Sequence, residues 1–283
     1  MRARPSPHWI LLLALWTSSC SQAEPRPAPG WQWSVYATGL PRVDNLAADG
    51  RGRVYATLER SRGRGALMRV RPGGAHRVVL GGLNRPDGLY VAGGRAWVTE
   101  EVRRGRILEV DLDRGAHRVL ARLDAPEGIR PHPGGGWYVS LDLRAGSILH
   151  VVPGRAPVTL YRDLNRPEGI ELGEGGELLV AETGRGRVLA LGPGGRRVIA
   201  AGLKEPDQVL RRPDGIWITE DADPGRLLRL RRGRLETILA GLRSPQGMLA
   251  LADGALLVAE QDRGRILRVA PAAPHPRGKL APR

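Results

Sequence analysis

The segment PDGLYVAGGRAWVTEE (residues 86–101) recurs in related versions along the chain, and this repetition indicates the fold. Each version continues with a strand pattern such as GRILEV from Gly105, and then with another such as RRVIAAGL from Arg196. Four short strands in about 40 residues, separated by Gly, Pro and Asp turns, describe one blade of a β-propeller. The related segments begin at Val43, Pro86, Pro126, Pro167, Pro206 and Pro245.

The sixth copy holds three strands before the pattern ends, so a fourth strand must come from elsewhere. The segment WSVYATGL (33–40) matches the fourth-strand pattern of the other copies. An N-terminal strand that completes the last blade would also remove the open edge of a linear array. The sequence therefore predicts an all-β fold over residues 31–270, a six-bladed β-propeller with four-stranded blades closed by the N-terminal strand.

The N-terminus has the pattern of a targeting segment. Arg2 and Arg4 precede an apolar run over 9–16, and small residues lead into Cys20, the single cysteine of the chain. Residues 1–20 resemble a bacterial lipoprotein signal peptide, in which Cys20 is lipidated, and the Pro-rich stretch 21–30 then reads as a tether. A cut after Ala23 would instead give a soluble periplasmic or secreted protein. Both interpretations export the chain, and residues 271–283 are predicted to be a flexible Pro-rich tail.

Composition and missing motifs exclude several classes of protein. The 283 residues include 44 Lys and Arg against 29 Asp and Glu, a formal charge of +15. These basic residues are dispersed through all blades and accompany no aromatic-basic motif, so we expect no nucleic-acid partner. The GxSxG, HExxH, CxxC and P-loop patterns are absent. One cysteine excludes an intrachain disulfide. We also expect the protein to be a monomer.

One set of acidic residues recurs at the second position of the repeats. If these side chains face the mouth of the central channel, carboxylates about 6 Å apart repel by about 3 kcal/mol per pair at an effective dielectric of about 20. A bound cation, or protons held through raised pKa values, must then relieve the repulsion, and Ca²⁺ or Mg²⁺ suits oxygen ligands. Alternatively, these acidic residues serve to form turns, or their side chains lie between blades and accept hydrogen bonds from backbone N–H groups. The set consists of Asp44, Asp87, Glu127, Glu168 and Asp207, with Gln246 in the sixth copy.

A second acidic set recurs at the end of the second strand. Wherever this position holds Glu, the third strand opens with Arg, whereas Leu58 and Leu141 go with Ala66 and Ser147. This co-occurrence predicts structural Arg–carboxylate pairs within blades. The predicted pairs are Glu100–Arg106, Glu182–Arg187, Glu220–Arg226 and Glu260–Arg265.

The repeats resemble NHL-repeat propellers and the wider six-bladed superfamily that includes the SMP-30/gluconolactonase and strictosidine synthase-like families. The resemblance rests on PDGL at 86, PEGI at 126 and 167, and ETGRGRVL from 182. For the SMP-30/gluconolactonase family it implies a divalent metal held at the mouth by acidic and amide side chains, with one carboxylate assisting lactone hydrolysis. Asp87 and Asp207 lie in units like that family's acidic ligand, and Asn45 and Gln246 are the amides near the register.

These observations predict an exported, lipid-anchored binding module with an acidic mouth for a divalent cation or a small cationic ligand. A metal-dependent lactone or ester hydrolase is the main alternative, and a protein-interaction scaffold is a further one. No catalytic residue is assigned by the sequence. The membrane contact is expected to run through the lipid anchor alone.

Replacing Cys20 tests the anchoring. The Cys20→Ala variant should lose labelling by a fatty-acid probe and should leave the membrane fraction, because the thiol is the proposed attachment point. Wild-type protein found wholly in the soluble fraction and beginning at Glu24 would contradict the prediction.

Overall fold

The computed structural model describes residues 23–272, which form six sheets arranged as blades. Each blade is a four-stranded antiparallel meander, and the first strands of successive blades contact one another around a central channel. This confirms the predicted six-bladed β-propeller. Residues 1–22, with the predicted signal peptide and Cys20, lie outside the described residues, as does the predicted tail from residue 273. Within 23–272, no helix is long and apolar enough to cross a membrane.

The strands occupy equivalent places in every blade. The inner strands are Val43–Ala48, Pro86–Ala92, Pro126–Pro131, Pro167–Leu172, Pro206–Arg212 and Pro245–Ala250. The second strands are Val54–Leu58, Arg95–Glu100, Trp137–Leu141, Leu178–Glu182, Gly215–Glu220 and Leu256–Glu260. The third strands are Gly65–Val70, Gly105–Asp111, Gly146–Val151, Arg187–Gly192, Gly225–Arg231 and Arg265–Pro271. The outer strands are Arg77–Leu83, His117–Leu123, Val158–Leu164, Gly195–Ala201, Arg234–Leu242 and, for blade six, Trp31–Ala37.

The ring closes through the N-terminal strand, as the repeats predicted. Trp31–Ala37 pairs antiparallel with Arg265–Pro271, so that Trp33 lies opposite Val269. The strand begins two residues before the predicted segment and ends at Ala37. Gly39 follows with a φ of +73°, a left-handed conformation that suits glycine and turns the chain toward blade one.

The predicted tether lies along the propeller from residue 23 onward. Arg26 and Pro27 form a short strand opposite Ala240 and Leu239 on the edge of blade five. The indole Nε1 of Trp33 donates to the Pro25 carbonyl at 2.9 Å. Proline on an edge strand needs no ladder donor, which makes this Pro-rich stretch compatible with strand addition.

Apolar side chains fill the spaces between neighbouring blades. Val54 and Ala56 of blade one share a buried cluster with Leu257 and Ala259 of blade six, across the closure. Short helical turns of the 3₁₀ type at Pro72–Gly74, Glu174–Gly176, Thr183–Arg185 and Gln261–Arg263 connect strands. The core is therefore a ring of interblade layers around the channel.

Buried glutamates tie the second and third strands together within four blades. Glu100 accepts hydrogen bonds from Arg106 Nε and Nη2, each at 2.5 Å, and Glu220 accepts the equivalent pair from Arg226 at 2.5 and 2.7 Å. Arg187 Nε donates to Glu182 Oε2, and Arg185 Nη1 donates to the other oxygen of Glu182. Arg265 Nε donates to Glu260 at 2.5 Å.

The same glutamates also hold the loop that leads into the inner strand. Glu100 Oε1 accepts the backbone N–H of Asn84 at 2.8 Å, and Glu220 Oε1 accepts that of Lys204 at 2.8 Å. Glu182 and Glu260 accept from Asn165 and Arg243. Each pair therefore positions the beginning of the inner strand as well as the blade itself.

The Glu100–Arg106 pair offers a clean mutational cycle, because Arg106 is the only arginine that pairs with Glu100 among residues 23–272. Arg106→Ala leaves the buried Glu100 carboxylate without its cation, whereas Glu100→Leu with Arg106→Ala recreates the Leu58–Ala66 combination of blade one. The double variant should lose less stability than the sum of the single variants, by about 1–3 kcal/mol in urea unfolding. Losses that add within about 0.5 kcal/mol would contradict the coupling.

Candidate functional site

A bulge at the beginning of each inner strand presents the first acidic set to the channel. In blade two, Pro86 pairs with Glu100 and Leu89 pairs with Val98, so one extra residue lies between them on the inner strand. The other five inner strands carry the same irregularity. A bulge of this kind redirects a side chain out of the regular alternation. Here it leaves the second residue of each repeat lining a cavity at the channel mouth.

Glycines after three of the acidic residues, Asp87, Glu127 and Glu168, allow the inner strands to approach closely. A Cβ on Gly88 would lie 2.0 Å from the Glu127 carbonyl oxygen, and one on Gly169 would lie 2.6 Å from that of Asp207. No side chain fits in these positions without movement of the neighbouring blade. The close approach makes the channel narrow and brings the acidic side chains of adjacent blades together.

The cavity is small, about 100 Å³, and almost wholly polar in its lining. All six residues of the first register line it, and each is buried, with at most 8% of its surface exposed. The residues predicted from the repeats therefore converge on one site. They are Asp44, Asp87, Glu127, Glu168, Asp207 and Gln246.

Three of the five predicted carboxylates form a tight cluster. Oxygens of Glu127, Glu168 and Asp207 all lie within 4.8 Å of one another. Glu127 Oε1 and Asp207 Oδ1 are buried and have no hydrogen-bond partner among residues 23–272. Two carboxylates at this distance repel by about 3 kcal/mol at an effective dielectric of about 20. The cluster is therefore short of positive charge or protons.

The remaining two carboxylates are held by amides. Asn45 Nδ2 donates to Asp87 Oδ1 at 3.0 Å and to Asp44 Oδ1 at 3.3 Å. Gln261 Nε2 donates to Asp44 Oδ2 at 2.7 Å. Asp44 and Asp87 thus line the same cavity but are partly satisfied by neutral donors.

Burial and mutual repulsion raise the pKa values of all five acidic side chains of the first set, which form a ring around the cavity. Burial, with the charge of Asp142 next, raises the pKa of Glu168 to about 8. Burial and neighbouring carboxylates also raise the pKa values of Glu127 and Asp207 well above their ordinary range. The pKa values of Asp44 and Asp87 rise for the same reasons. At neutral pH the ring without a cation therefore holds protons.

A second circle of acids surrounds the ring and was missed by the sequence-based prediction. Its members follow the last residue of the second strand, one position after the predicted Glu–Arg set. Comparing the six repeats at that position alone would have found them. They are Glu59, Glu101, Asp142 and Asp221, with Thr183 and Gln261 in the other two blades, and the four acids line the cavity.

Arginines just before the inner strands also line the cavity. Arg166 Nη2 donates to Glu168 at 2.7 Å and its Nε donates to Asp142 at 3.2 Å. One member of the first acidic set, Glu168 in blade four, therefore has an arginine partner. Arg42 and Arg85 occupy the equivalent positions in blades one and two.

The donor set fits a divalent cation. Ca²⁺ binds oxygens at 2.3–2.6 Å, so two of its ligands can be as far apart as about 5 Å, which the 4.8 Å cluster satisfies. Carboxylate oxygens are the ligands that Ca²⁺ and Mg²⁺ prefer. No histidine or cysteine belongs to the cluster within residues 23–272. Glu127, Glu168 and Asp207 are thus the residues that could hold the ion.

Comparisons with known proteins find relatives at the level of the fold. No family model matches the sequence, and no curated protein matches it. A gluconolactonase of Xanthomonas campestris is 16% identical, with 87% of this chain and 91% of that one covered and a TM-score of 0.67. Streptogramin B lyase is 14% identical, with 86% and 98% covered and a TM-score of 0.63. Virginiamycin B lyase of Staphylococcus aureus is 14% identical, with 88% and 100% covered and a TM-score of 0.59.

These similarities extend over nearly the whole propeller of each protein. At such low identity they establish a shared architecture, and the chemistry has to be argued from the residues of this chain. The chain thus has the six-bladed propeller fold of the gluconolactonase-like and virginiamycin B lyase-like proteins.

Proposed function

We propose that this protein is an exported, lipid-anchored β-propeller that binds a divalent cation, Ca²⁺ or Mg²⁺, at the acidic mouth of its channel. The cation site consists of Glu127, Glu168 and Asp207. The N-terminal pattern that ends at Cys20 supports export and anchoring. The cation would in turn serve to hold a small ligand at the mouth.

One observation carries the proposal. The cluster contains two buried carboxylate oxygens, Glu127 Oε1 and Asp207 Oδ1, that have no hydrogen-bond partner. Buried acceptors without partners are rare in folded proteins, because each costs the lost solvation of the group. Both oxygens belong to residues of the cluster whose spacing suits Ca²⁺. A bound cation satisfies the two oxygens and cancels the repulsion in one step.

Arg166 compensates only part of the acidic cluster, which argues against a purely structural role for these carboxylates. This guanidinium satisfies Glu168 and Asp142, yet it leaves Glu127 and Asp207 without a cationic contact. Within the described residues, neither of those two carboxylates takes part in an ion pair. The cluster therefore keeps a deficit of positive charge that a divalent ion fits.

Calcium should stabilise the folded protein at neutral pH. We expect millimolar Ca²⁺ to raise the melting temperature, since ligand at a hundred times its dissociation constant adds about 2.7 kcal/mol. Glu168→Gln with Asp207→Asn should abolish the rise, because two of the three charged ligands become neutral. Differential scanning calorimetry with Ca²⁺, Mg²⁺ or EDTA measures the effect.

A matched control removes two acids from the opposite face. Glu174→Gln with Asp253→Asn lowers the negative charge equally at exposed positions and should keep the Ca²⁺ response. Identical melting of the wild type with Ca²⁺ and EDTA would contradict the cation site and favour a scaffold or an organic cation.

The Ca²⁺-induced rise in melting temperature should also depend on pH. Because the pKa of Glu168 is raised to about 8, the cation-free carboxyl holds a proton below that pH. Cation binding must displace the proton, so the Ca²⁺-induced rise should shrink as pH falls from 8 to 5. A rise that stays constant over this range would place the binding elsewhere.

A second candidate function is metal-dependent hydrolysis of a lactone or ester. The observation that favours it is Arg166, a guanidinium that lines the cavity beside the proposed cation ligand Glu168. In this reaction water adds to the acyl carbon, the ring C–O bond breaks, and a hydroxyl and a carboxylic acid form. A bound cation would polarise the carbonyl and lower the pKa of water. Arg166 would stabilise negative charge on the carbonyl oxygen.

A panel of γ- and δ-lactones separates the two functions. Turnover that needs Ca²⁺ or Mg²⁺ and falls at least about a hundredfold in Arg166→Gln would establish the hydrolase, since an oxyanion donor contributes about that much. Calcium binding without turnover of any lactone would leave the binding function alone.

A further inference from the structure

A second cavity lies at the rim of blade one, directly beside the acidic one. It encloses about 340 Å³ and is lined by Arg42, Glu59, Arg60, Ser61, Arg64 and Arg85. Arg42, Glu59 and Arg85 line both cavities. A ligand that fills the rim cavity therefore adjoins the acidic mouth.

The loop that builds this cavity is longer than its equivalents. In blade one, residues 59–64 connect the second strand to the third, a loop of six residues. The corresponding loops of the other five blades, such as 101–104 in blade two and 142–145 in blade three, each have four. Blade one thus carries two additional residues at this position, and its loop reads Glu-Arg-Ser-Arg-Gly-Arg.

The one carboxylate in the rim cavity is already occupied. Glu59 accepts from Arg42 Nη2 at 2.8 Å and from Arg85 Nε at 2.6 Å. It also accepts from Gln261 Nε2 at 3.1 Å. Its negative charge is therefore shared by two guanidiniums and an amide.

Arg60 and Arg64 are the cations that remain. Over residues 23–272, neither has a carboxylate within 4 Å, and the one side-chain hydrogen bond of the two is from Arg64 Nε to the Ser61 carbonyl at 3.4 Å. Guanidinium groups present paired N–H donors that match the oxygens of phosphate and carboxylate groups. The rim cavity thus has an excess of positive charge and free donors.

We propose that the rim cavity of blade one is an oxyanion subsite that binds the phosphate or carboxylate group of a small ligand through Arg60 and Arg64. The remainder of that ligand reaches the acidic cavity, and this part rests on the proposed cation site. The cavity volume suits a small molecule more than a polymer. The ligand of this propeller is then an anionic compound that also carries oxygen atoms able to bind the proposed cation. Its phosphate or carboxylate group, held in the rim cavity, determines its orientation.

Inorganic phosphate tests the subsite without any divalent cation. Isothermal titration calorimetry in EDTA should detect phosphate binding to the wild type, and Arg60→Gln with Arg64→Gln should weaken it at least about tenfold, since hydrogen bonds to charged groups are lost. The matched control is Arg103→Gln with Arg104→Gln, which removes two exposed arginines from the shorter blade-two loop. This control should bind phosphate within twofold of the wild type.

Equal weakening in both double variants would mean a general charge effect and would overturn the subsite, as would wild type that binds no phosphate. A phospholipid headgroup offers the same chemistry. Wild type that sediments with phosphatidylglycerol vesicles through Arg60 and Arg64, yet binds no inorganic phosphate, would overturn the small-ligand proposal.

Failure of the cation site has a different signature. The Ca²⁺ melting test on the wild type would then be negative, while phosphate binding and its loss in Arg60→Gln with Arg64→Gln would persist. A positive Ca²⁺ test without phosphate binding would overturn the subsite alone. Melting temperatures of both arginine variants show that each is folded.

Discussion

The close contact between inner strands is the constraint on which the rest of this molecule depends. Six blades must meet around one axis, and glycines such as Gly88 and Gly169 let one inner strand lie against the carbonyl groups of the next. The second residue of every inner strand then lies in a narrow mouth beside its neighbours. Because that residue is acidic in five blades, the requirement for closure concentrates negative charge in a buried space.

Two groups of glutamates in this fold have opposite electrostatic situations. Glu100 and Glu220 are buried, but each receives a bidentate arginine and a backbone N–H, so its charge is fully compensated. Glu127 is equally buried and has an oxygen without any partner. The first situation is what stability requires, whereas the second is unfavourable unless a ligand completes it. The contrast separates charge-compensated from uncompensated acids more sharply than burial does.

The fold was predictable from the sequence because each blade repeats the same local signals, from PDGL at 86 to PQGM at 245. The convergence of Asp44, Asp87, Glu127, Glu168 and Asp207 was also predictable, since equivalent positions in a ring point to one axis. The different hydrogen-bonding environments of these five carboxylates were not predictable. The amides of Asn45 and Gln261 reach acidic side chains of neighbouring blades, and Arg166 donates to Glu168, two residues further along the chain. These contacts determine which three carboxylates form the cluster. Such contacts arise from side-chain conformations that no single repeat encodes.

The departures from six-fold repetition indicate where the molecule acquires specificity. A perfectly repeated ring would present the same charge in every direction and could not orient an asymmetric ligand. Among residues 23–272, the carboxylates with an oxygen that lacks a partner lie on blades three and five, whereas the lengthened loop with Arg60 and Arg64 lies on blade one. The mouth therefore has a negative side and a positive side. With a cation at the proposed site, such polarity would favour a ligand with an anionic end and an oxygen-rich remainder, and it would give that ligand one preferred orientation.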